Sequence, residues 1–224
     1  MIRKFRVKQR IECEALIFDL DGVLVDSTAC IQRHWRLWAA GQGLEVEEVL
    51  RACHGRRTVE TIRLVAPRLD ADLEAAQFDA REAFDTEGVV AMAGATELLG
   101  SLPAGRWAVA TSGTRATATS RMERAGLPVP GVLVNADDVR HGKPDPEAFL
   151  LAAERLGTVP AGCVVVEDAP AGVEAARRAG MRVIGLAASP NHVLDGADLV
   201  VSRLGDIRIR QACAGLVLEV NSKL

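Results

Sequence analysis

Asp19 and Asp21 stand two residues apart in Asp19-Leu20-Asp21-Gly22, directly after the apolar run Ala15–Phe18. Two carboxylates this close repel, so a cation or a proton has to hold them together. The pair suits phosphoryl transfer through a covalent aspartyl phosphate, with one carboxylate as nucleophile and the other handling the leaving group's proton. A carboxylate facing a phosphate dianion needs its charge cancelled, and a magnesium ion held by oxygen ligands does this. In isolation the same four residues would also make an ordinary turn. Three further polar clusters follow. Thr111-Ser112-Gly113 closes the run Trp107–Ala110 and opens a helical stretch; a hydroxyl and free N–H groups at a helix start hold phosphate oxygens, or simply cap the helix. In Gly142-Lys143-Pro144-Asp145-Pro146 the prolines bias their neighbours toward extended geometry, so Lys143 becomes an aimed charge able to neutralise both a phosphate and a nucleophilic carboxylate. Lysine occurs elsewhere only at Lys4, Lys8 and Lys223. Glu167-Asp168 follows Cys163–Val166. Adjacent acids there are explained as ligands or supports of a hard cation, or as charges complementing a helix N-terminus.

These clusters need a scaffold that delivers them to one edge. Four apolar runs, Ala15–Phe18, Trp107–Ala110, Cys163–Val166 and Arg182–Leu186, read as buried strands, and segments of helical spacing separate them. One such segment places Phe149, Ala152, Ala153 and Leu156 at i, i+3, i+4 and i+7, with Asp145 as cap and Pro146 as first helical residue. Strands apolar on both faces, alternating with helices, predict an α/β fold with a doubly wound parallel sheet. The reactive edge of such a sheet is the row of strand carboxyl ends, where all four clusters fall. Residues 27–91 break the rhythm. They hold the helix-like runs Ile31–Ala40, Val46–Ala52, Val59–Ala66 and Leu73–Phe84 and no convincing strand, which predicts a small inserted all-helical cap. The catalytic core is then 11–26 and 92–210, with 1–10 and 211–224 as tails.

Composition removes several functions. The 27 basic and 30 acidic residues nearly balance, so no general field favours nucleic acid or an anionic membrane. No apolar run reaches the ~20 residues that span a bilayer, and the basic segment Met1–Arg10 lacks the apolar stretch of a secretory signal. Cysteines at 13, 30, 53, 163 and 213 show neither a zinc-knuckle nor a CxxC spacing, which points to a reduced, cytoplasmic protein. No GxGxxG follows the first strand run, which argues against a dinucleotide-binding module.

In this order, Asp-x-Asp-Gly, a strand-end Thr-Ser, Lys-Pro-x-Pro and Glu-Asp closely resemble the four motifs of the haloacid dehalogenase superfamily, over roughly residues 14–205. The helical insertion sits where the subgroup with a small helical cap carries it. The spacing also resembles that of phosphatases acting on 2-deoxyglucose 6-phosphate, glycerol 3-phosphate and hexose phosphates. The resemblance implies Asp19 as nucleophile and magnesium ligand, and Asp21 as general acid and base whose backbone carbonyl also meets the metal. It implies Thr111 and the Ser112 amide on phosphate oxygens, Lys143 bridging phosphate and Asp19, Asp168 on magnesium, and Glu167 supporting the metal. The partner would be a small phosphorylated metabolite, and a monomer is the default for a capped enzyme of this size.

Single positions separate the rival chemistries of that superfamily. The dehalogenases lack the second acid, and Asp21 is present. The phosphonate hydrolases need a cap lysine, and none lies between Lys8 and Lys143. The β-phosphoglucomutases carry a histidine where this chain has Ile31 and an arginine where it has Thr58, which leaves mutase-like phosphotransfer as the alternative. A phosphate-binding regulatory module would be expected to lose Asp21 or Lys143, and both are kept. Within the cap, His54-Gly55-Arg56-Arg57-Thr58 lies between two helical stretches, where the resembling phosphatases place a substrate-reading loop. Gly55 lets the turn approach closely, and Arg56 and Arg57 are expected to bond substrate hydroxyls.

Overall fold

The computed structural model describes residues 6–187, 194–212 and 215–223. Strands β1 (Arg6–Cys13) and β2 (Ala15–Phe18) open the chain. A two-residue strand β3 (Val25–Asp26) then leads into helices α1 (Thr28–Gln42), α2 (Val46–Cys53), α3 (Thr58–Val65) and α4 (Ala71–Glu82). The chain returns through β4 (Val90–Ala91), which pairs antiparallel with β3, so the helical insertion leaves and re-enters through one short ribbon. After it come α5 (Ala95–Gly100), β5 (Trp107–Ala110), α6 (Arg115–Arg124), β6 (Leu133–Val134), α7 (Glu147–Leu156), β7 (Cys163–Glu167), α8 (Pro170–Arg178), β8 (Arg182–Leu186) and β9 (Leu199–Val201). Strands β10 (Ile207–Ala212) and β11 (Gly215–Lys223) close the described chain.

Six strands form one parallel sheet in the order β6-β5-β2-β7-β8-β9. Side chains alternate across its pleat. Leu16, Phe18, Val109, Val164 and Val166 join one core, while Ala15, Ile17, Ala108, Ala110 and Val165 join the other. Both faces are therefore dry, which is why these strands read as unbroken apolar runs. Trp35, Trp38, Val49, Ile62 and Phe78 give the cap a core of its own, with Trp35 packed on Phe78 at 4.3 Å between ring centres. The order places β2 centrally, with β5 and β7 on its two sides, so the carboxyl ends of these three strands share one edge. Helix α7 begins at Glu147, one residue later than the sequence suggests, and Asp145 Oδ1 accepts from the Glu147 N–H at 3.0 Å.

The two expected tails are not tails where the structure describes them. β1 pairs antiparallel with β11, from Arg6 against Lys223 to Cys13 against Leu216, and β10 pairs on the other side of β11. Alternate residues Ile11 and Cys13 of β1, and Leu216, Leu218 and Val220 of β11, are buried against the core of the parallel sheet. The charges between them disguise the pattern: Lys8 pairs with Glu219 at 3.4 Å and Arg10 with Glu12 at 3.3 Å on the solvent side. Cys213 lies outside the described residues, and Cys13, Cys30, Cys53 and Cys163 are free thiols. Among the described residues no helix is long and apolar enough to cross a membrane.

Candidate active site

Asp19 is the first residue past β2, and its N–H donates to the Val166 carbonyl of β7 at 3.0 Å. The chain then folds into a tight loop in which Leu20 O accepts from Leu24 and Val25 and Gly22 N–H donates to Val25 O. Gly22 sits at φ +82°, and a Cβ there would overlap the Asp168 carboxylate. Glycine is thus required twice, for the turn and for the approach of the first motif to the fourth. Lys143, from the loop between β6 and α7, is 2% exposed and reaches across the edge of the sheet. Its Nζ donates to Asp19 Oδ1 at 2.5 Å and to Glu167 Oε1 at 2.7 Å. The other Glu167 oxygen accepts from the Ala169 N–H at 2.7 Å.

Burial dominates the electrostatics. It pushes the Asp19 carboxyl up to about 7; Lys143 pulls it down, and Glu167 and Asp21 add their repulsion. Burial likewise holds Asp168 well above the ordinary carboxylate range, with Glu167 and Asp19 pushing the same way. The same burial opposes the Lys143 charge, but Asp19 and Glu167 outweigh it and keep the ammonium above its usual value. Oxygens of Asp19, Glu167 and Asp168 come within 4.8 Å of one another. Three buried acids against one lysine leave negative charge uncompensated, and an all-oxygen donor set fits a hard divalent cation. Asp19, Glu167 and Asp168 are therefore the carboxylates that could hold such a cation, Glu167 being also tied to Lys143 and the Ala169 N–H.

Thr111 follows β5 and is buried, with its Oγ1 accepting from the Gly113 N–H at 3.2 Å. Ser112 Oγ donates to the Gly55 carbonyl of the cap at 3.0 Å. Gly55 stands at φ +72°, and a Cβ there would lie 2.7 Å from the Ala169 Cβ, so the cap loop touches both the second and the fourth core motifs. Between cap and core lies a cavity of about 180 Å³. Asp19, Asp21, Thr111, Ser112 and Asp168 line its floor, while Ile31, Gln32, Trp35, Leu50, His54 and Arg56 line the cap side. Its volume is below the roughly 300–1,000 Å³ of common ligand pockets, which suits a small metabolite.

Of the cap residues singled out in the sequence, His54, Gly55 and Arg56 border the cavity and Arg57 does not. His54 Nε2 stands 3.8 Å from Asp168 Oδ2. The Arg57 guanidinium is buried against the core, donating to the carbonyls of Val139 at 3.0 Å and Arg140 at 2.7 Å, and to Glu60 Oε1 at 2.6 Å. Glu60 Oε1 in turn accepts from the Gly142 N–H at 2.7 Å. Arg57 therefore docks the cap onto the loop that carries Lys143, with its guanidinium turned to the core rather than lining the cavity. Sequence reasoning missed Ser27, Arg121 and Glu82. Ser27 Oγ donates to Asp21 Oδ1 at 2.6 Å and Arg121 Nη1 to the same oxygen at 2.8 Å, while Arg121 Nη2 lies 2.9 Å from Glu82 Oε1. The signal for Arg121 was a charge beside Ala118 and Met122 on the apolar face of α6.

Residues 13–180 match the model of the haloacid dehalogenase-like hydrolases. Hexitol phosphatase A of Escherichia coli (strain K12) is 42% identical over 214 residues, covering 93% of this chain and 99% of that protein. Glycerol-1-phosphate phosphohydrolase 2 of Saccharomyces cerevisiae (strain ATCC 204508 / S288c) is 32% identical over 221 residues, covering 89% and 86%. Among solved structures, a hydrolase from Pseudomonas syringae superposes with a TM-score of 0.73 at 28% identity, over 85% of this chain and 94% of that one. The motif loops that converge on Asp19 fall within the matched stretch, and the chain belongs to the haloacid dehalogenase-like hydrolase family as a phosphoric monoester hydrolase.

Proposed function

We propose that this enzyme hydrolyses the phosphate monoester of a small sugar or polyol, using magnesium and an aspartyl-phosphate intermediate. The observation that carries the reading is the buried contact of Lys143 with Asp19 at the floor of a capped cavity. A lysine fixed there orients the nucleophile and leaves its remaining donor capacity for a phosphate oxygen. Asp19 forms the bond to phosphorus as the ester P–O bond breaks, and Asp21 gives its proton to the departing alkoxide. Asp21 then takes a proton from water as water oxygen attacks the aspartyl phosphate, releasing inorganic phosphate and restoring the Asp19 carboxylate. Thr111 and the Ser112 N–H hold the transferring group. Magnesium, held by Asp19, Asp168 and the Asp21 backbone carbonyl, supplies the charge that lets a dianion approach a carboxylate. The substrate class is supported by relatives named for hexitol phosphate and glycerol 1-phosphate hydrolysis, and by the polar and apolar mixture on the cap side of the cavity. Thr58 gives its hydroxyl to Asp79 at 2.6 Å and Ile31 is apolar, so neither supplies the contacts expected of a mutase. Action as a monomer belongs to this reading, and the free thiols Cys13, Cys30, Cys53 and Cys163 support a reducing, cytoplasmic setting.

The test is a panel of phosphorylated sugars and polyols assayed for phosphate release with magnesium and with chelator, ranked by kcat/KM. One substrate class should dominate, chelation should abolish turnover, and Asp19→Asn should do the same while retaining the fold. Rapid quench with labelled substrate should trap an acid-stable, hydroxylamine-sensitive phosphoprotein. Full turnover in excess chelator, or a competent enzyme that traps no phosphoprotein, would overturn the mechanism.

A further inference from the structure

Asp21 is held by the cap as well as by its own loop. Ser27, on the outgoing limb of the hinge, and Arg121, on core helix α6, both donate to Asp21 Oδ1. Arg121 is 2% exposed, and its second partner is Glu82, the last residue of α4, which is 7% exposed. The adjoining Ser120 Oγ donates to the carbonyl of Ala83 at 2.8 Å, so α6 grips the returning limb of the cap at two successive residues. Among the described residues both bonds to Asp21 fall on Oδ1 and none on Oδ2. Two donors on one oxygen fix the plane of the carboxylate and turn its other oxygen, Oδ2, away from them.

A purely structural role accounts poorly for this arrangement. Burying a glutamate and an arginine costs several kcal/mol that apolar residues of similar size would avoid. Among the described residues Nε of Arg121 has no hydrogen-bond partner, and Nη2 meets only Glu82, at 2.9 Å. The set makes sense if its purpose is the orientation of one carboxylate at the cavity, which Glu82 and Arg121 both line.

We propose that Arg121 and Glu82 are positioning residues for the general acid and base. Glu82, from the cap, fixes the Arg121 guanidinium, and Arg121 with Ser27 turns Asp21 so that Oδ2 delivers the proton to the leaving oxygen and later takes it from water. The inference rests on the role assigned to Asp21 above. It also ties proton transfer to the seating of the cap, because Glu82 belongs to the cap while Arg121 and Asp21 belong to the core.

The test exploits the leaving group. A 4-nitrophenolate departs without a proton, whereas the alkoxide of a polyol does not, so faulty proton delivery penalises the second far more. Wild type, Glu82→Gln, Glu82→Asp, Arg121→Lys and Asp21→Asn are compared by kcat/KM on 4-nitrophenyl phosphate and on the best polyol phosphate, with folding checked by circular dichroism. Glu82→Gln and Arg121→Lys should lose about 10- to 100-fold on the polyol ester and less than about threefold on the aryl ester, part of the ~10²–10⁴ that general acid catalysis supplies. Glu82→Asp should recover part of the loss. Equal losses on both esters in Glu82→Gln, alongside a selective loss in Asp21→Asn, would overturn this proposal and leave the role of Asp21 intact. Equal losses in Asp21→Asn itself would overturn both. Should Arg121→Lys fail to fold, the isosteric Glu82→Gln decides the matter alone.

Discussion

Replacing Lys143 with methionine removes one charge and little volume, so its effect measures the electrostatics of the site directly. In the native protein Lys143 Nζ is 2.5 Å from Asp19 and 2.7 Å from Glu167, with both acids buried. Deleting one member of such a buried group leaves uncompensated charge and costs about 3–5 kcal/mol. That is a large share of the roughly 5–15 kcal/mol that holds a typical domain together. The cost depends on pH with a definite sign. Asp19 already sits near 7 because burial outweighs the pull of Lys143, above the 3.8 of an unperturbed carboxyl. The folded state therefore binds the proton more tightly than the unfolded chain, and this carboxyl erodes stability as pH rises from about 4 to about 7. Without Lys143 the folded-state value moves higher still, so the erosion continues beyond 7. Urea unfolding in chelator at pH 6, 7 and 8, followed by tryptophan fluorescence, should show Lys143→Met less stable throughout, with the gap to wild type widening toward pH 8. A variant within about 1 kcal/mol of wild type at pH 8, against the cost expected for a broken buried pair, or a gap that does not change with pH, would refute the reasoning.

Arg56 borders the cavity and Arg57 does not, so Arg56→Ala should lower kcat/KM on the best polyol phosphate by about 1–3 kcal/mol, the size of a charged hydrogen bond. A small aryl phosphate should change far less, and equal loss on both would assign Arg56 to the phosphate instead. A Cβ at Gly142 would collide with Glu60 and crowd Arg57, so Gly142→Ala should unseat the cap from the Lys143 loop. Amide exchange should then rise at residues 57–60 and 139–143 with kcat/KM falling about tenfold; unchanged exchange with unchanged activity would contradict that docking role. Burial lifts Asp79 to about 6, against the hydrogen bond from Thr58 that lowers it. Its ionisation thus weakens the fold as pH rises through about 4–6, and Asp79→Asn, which keeps an acceptor for Thr58, should be more stable than wild type by about 1–3 kcal/mol above pH 6 and no different near pH 3. Thermal melts across that range check it, and parallel curves would show that Asp79 is not the group responsible.

The core of the site was legible because its residues obey local rules. An acid, a hydroxyl or an acid pair directly after a run of buried residues has to emerge at a strand end, and a lysine flanked by proline has few directions to take. Asp19, Thr111, Lys143 and Asp168 follow that logic. Arg57 was misread because its partners, the carbonyls of Val139 and Arg140, lie some eighty residues away and no periodicity reveals them. Arg121 and Glu82 were missed for the same reason: their partnership exists only once the cap is seated on the core, although Arg121 lies on the apolar face of α6. Strands β3, β4 and β6 have two residues each, too short to show alternation. The sheet of β1, β10 and β11 escaped because one face is charged and its register joins opposite ends of the described chain.

That register also sets an order of events at the ribosome. The parallel sheet has all its strands once Val201 has emerged, but among the described residues β1 pairs only with β11, and Arg6 meets Lys223. The nascent chain must carry β1 as an open strand edge until β11 is synthesised, and such an edge invites pairing with other chains. Lys8, Arg10 and Glu12, exposed on the outer face of β1, put charge along that edge during the wait. The residues that hid the strand from sequence analysis are thus the ones that guard it until its partner arrives.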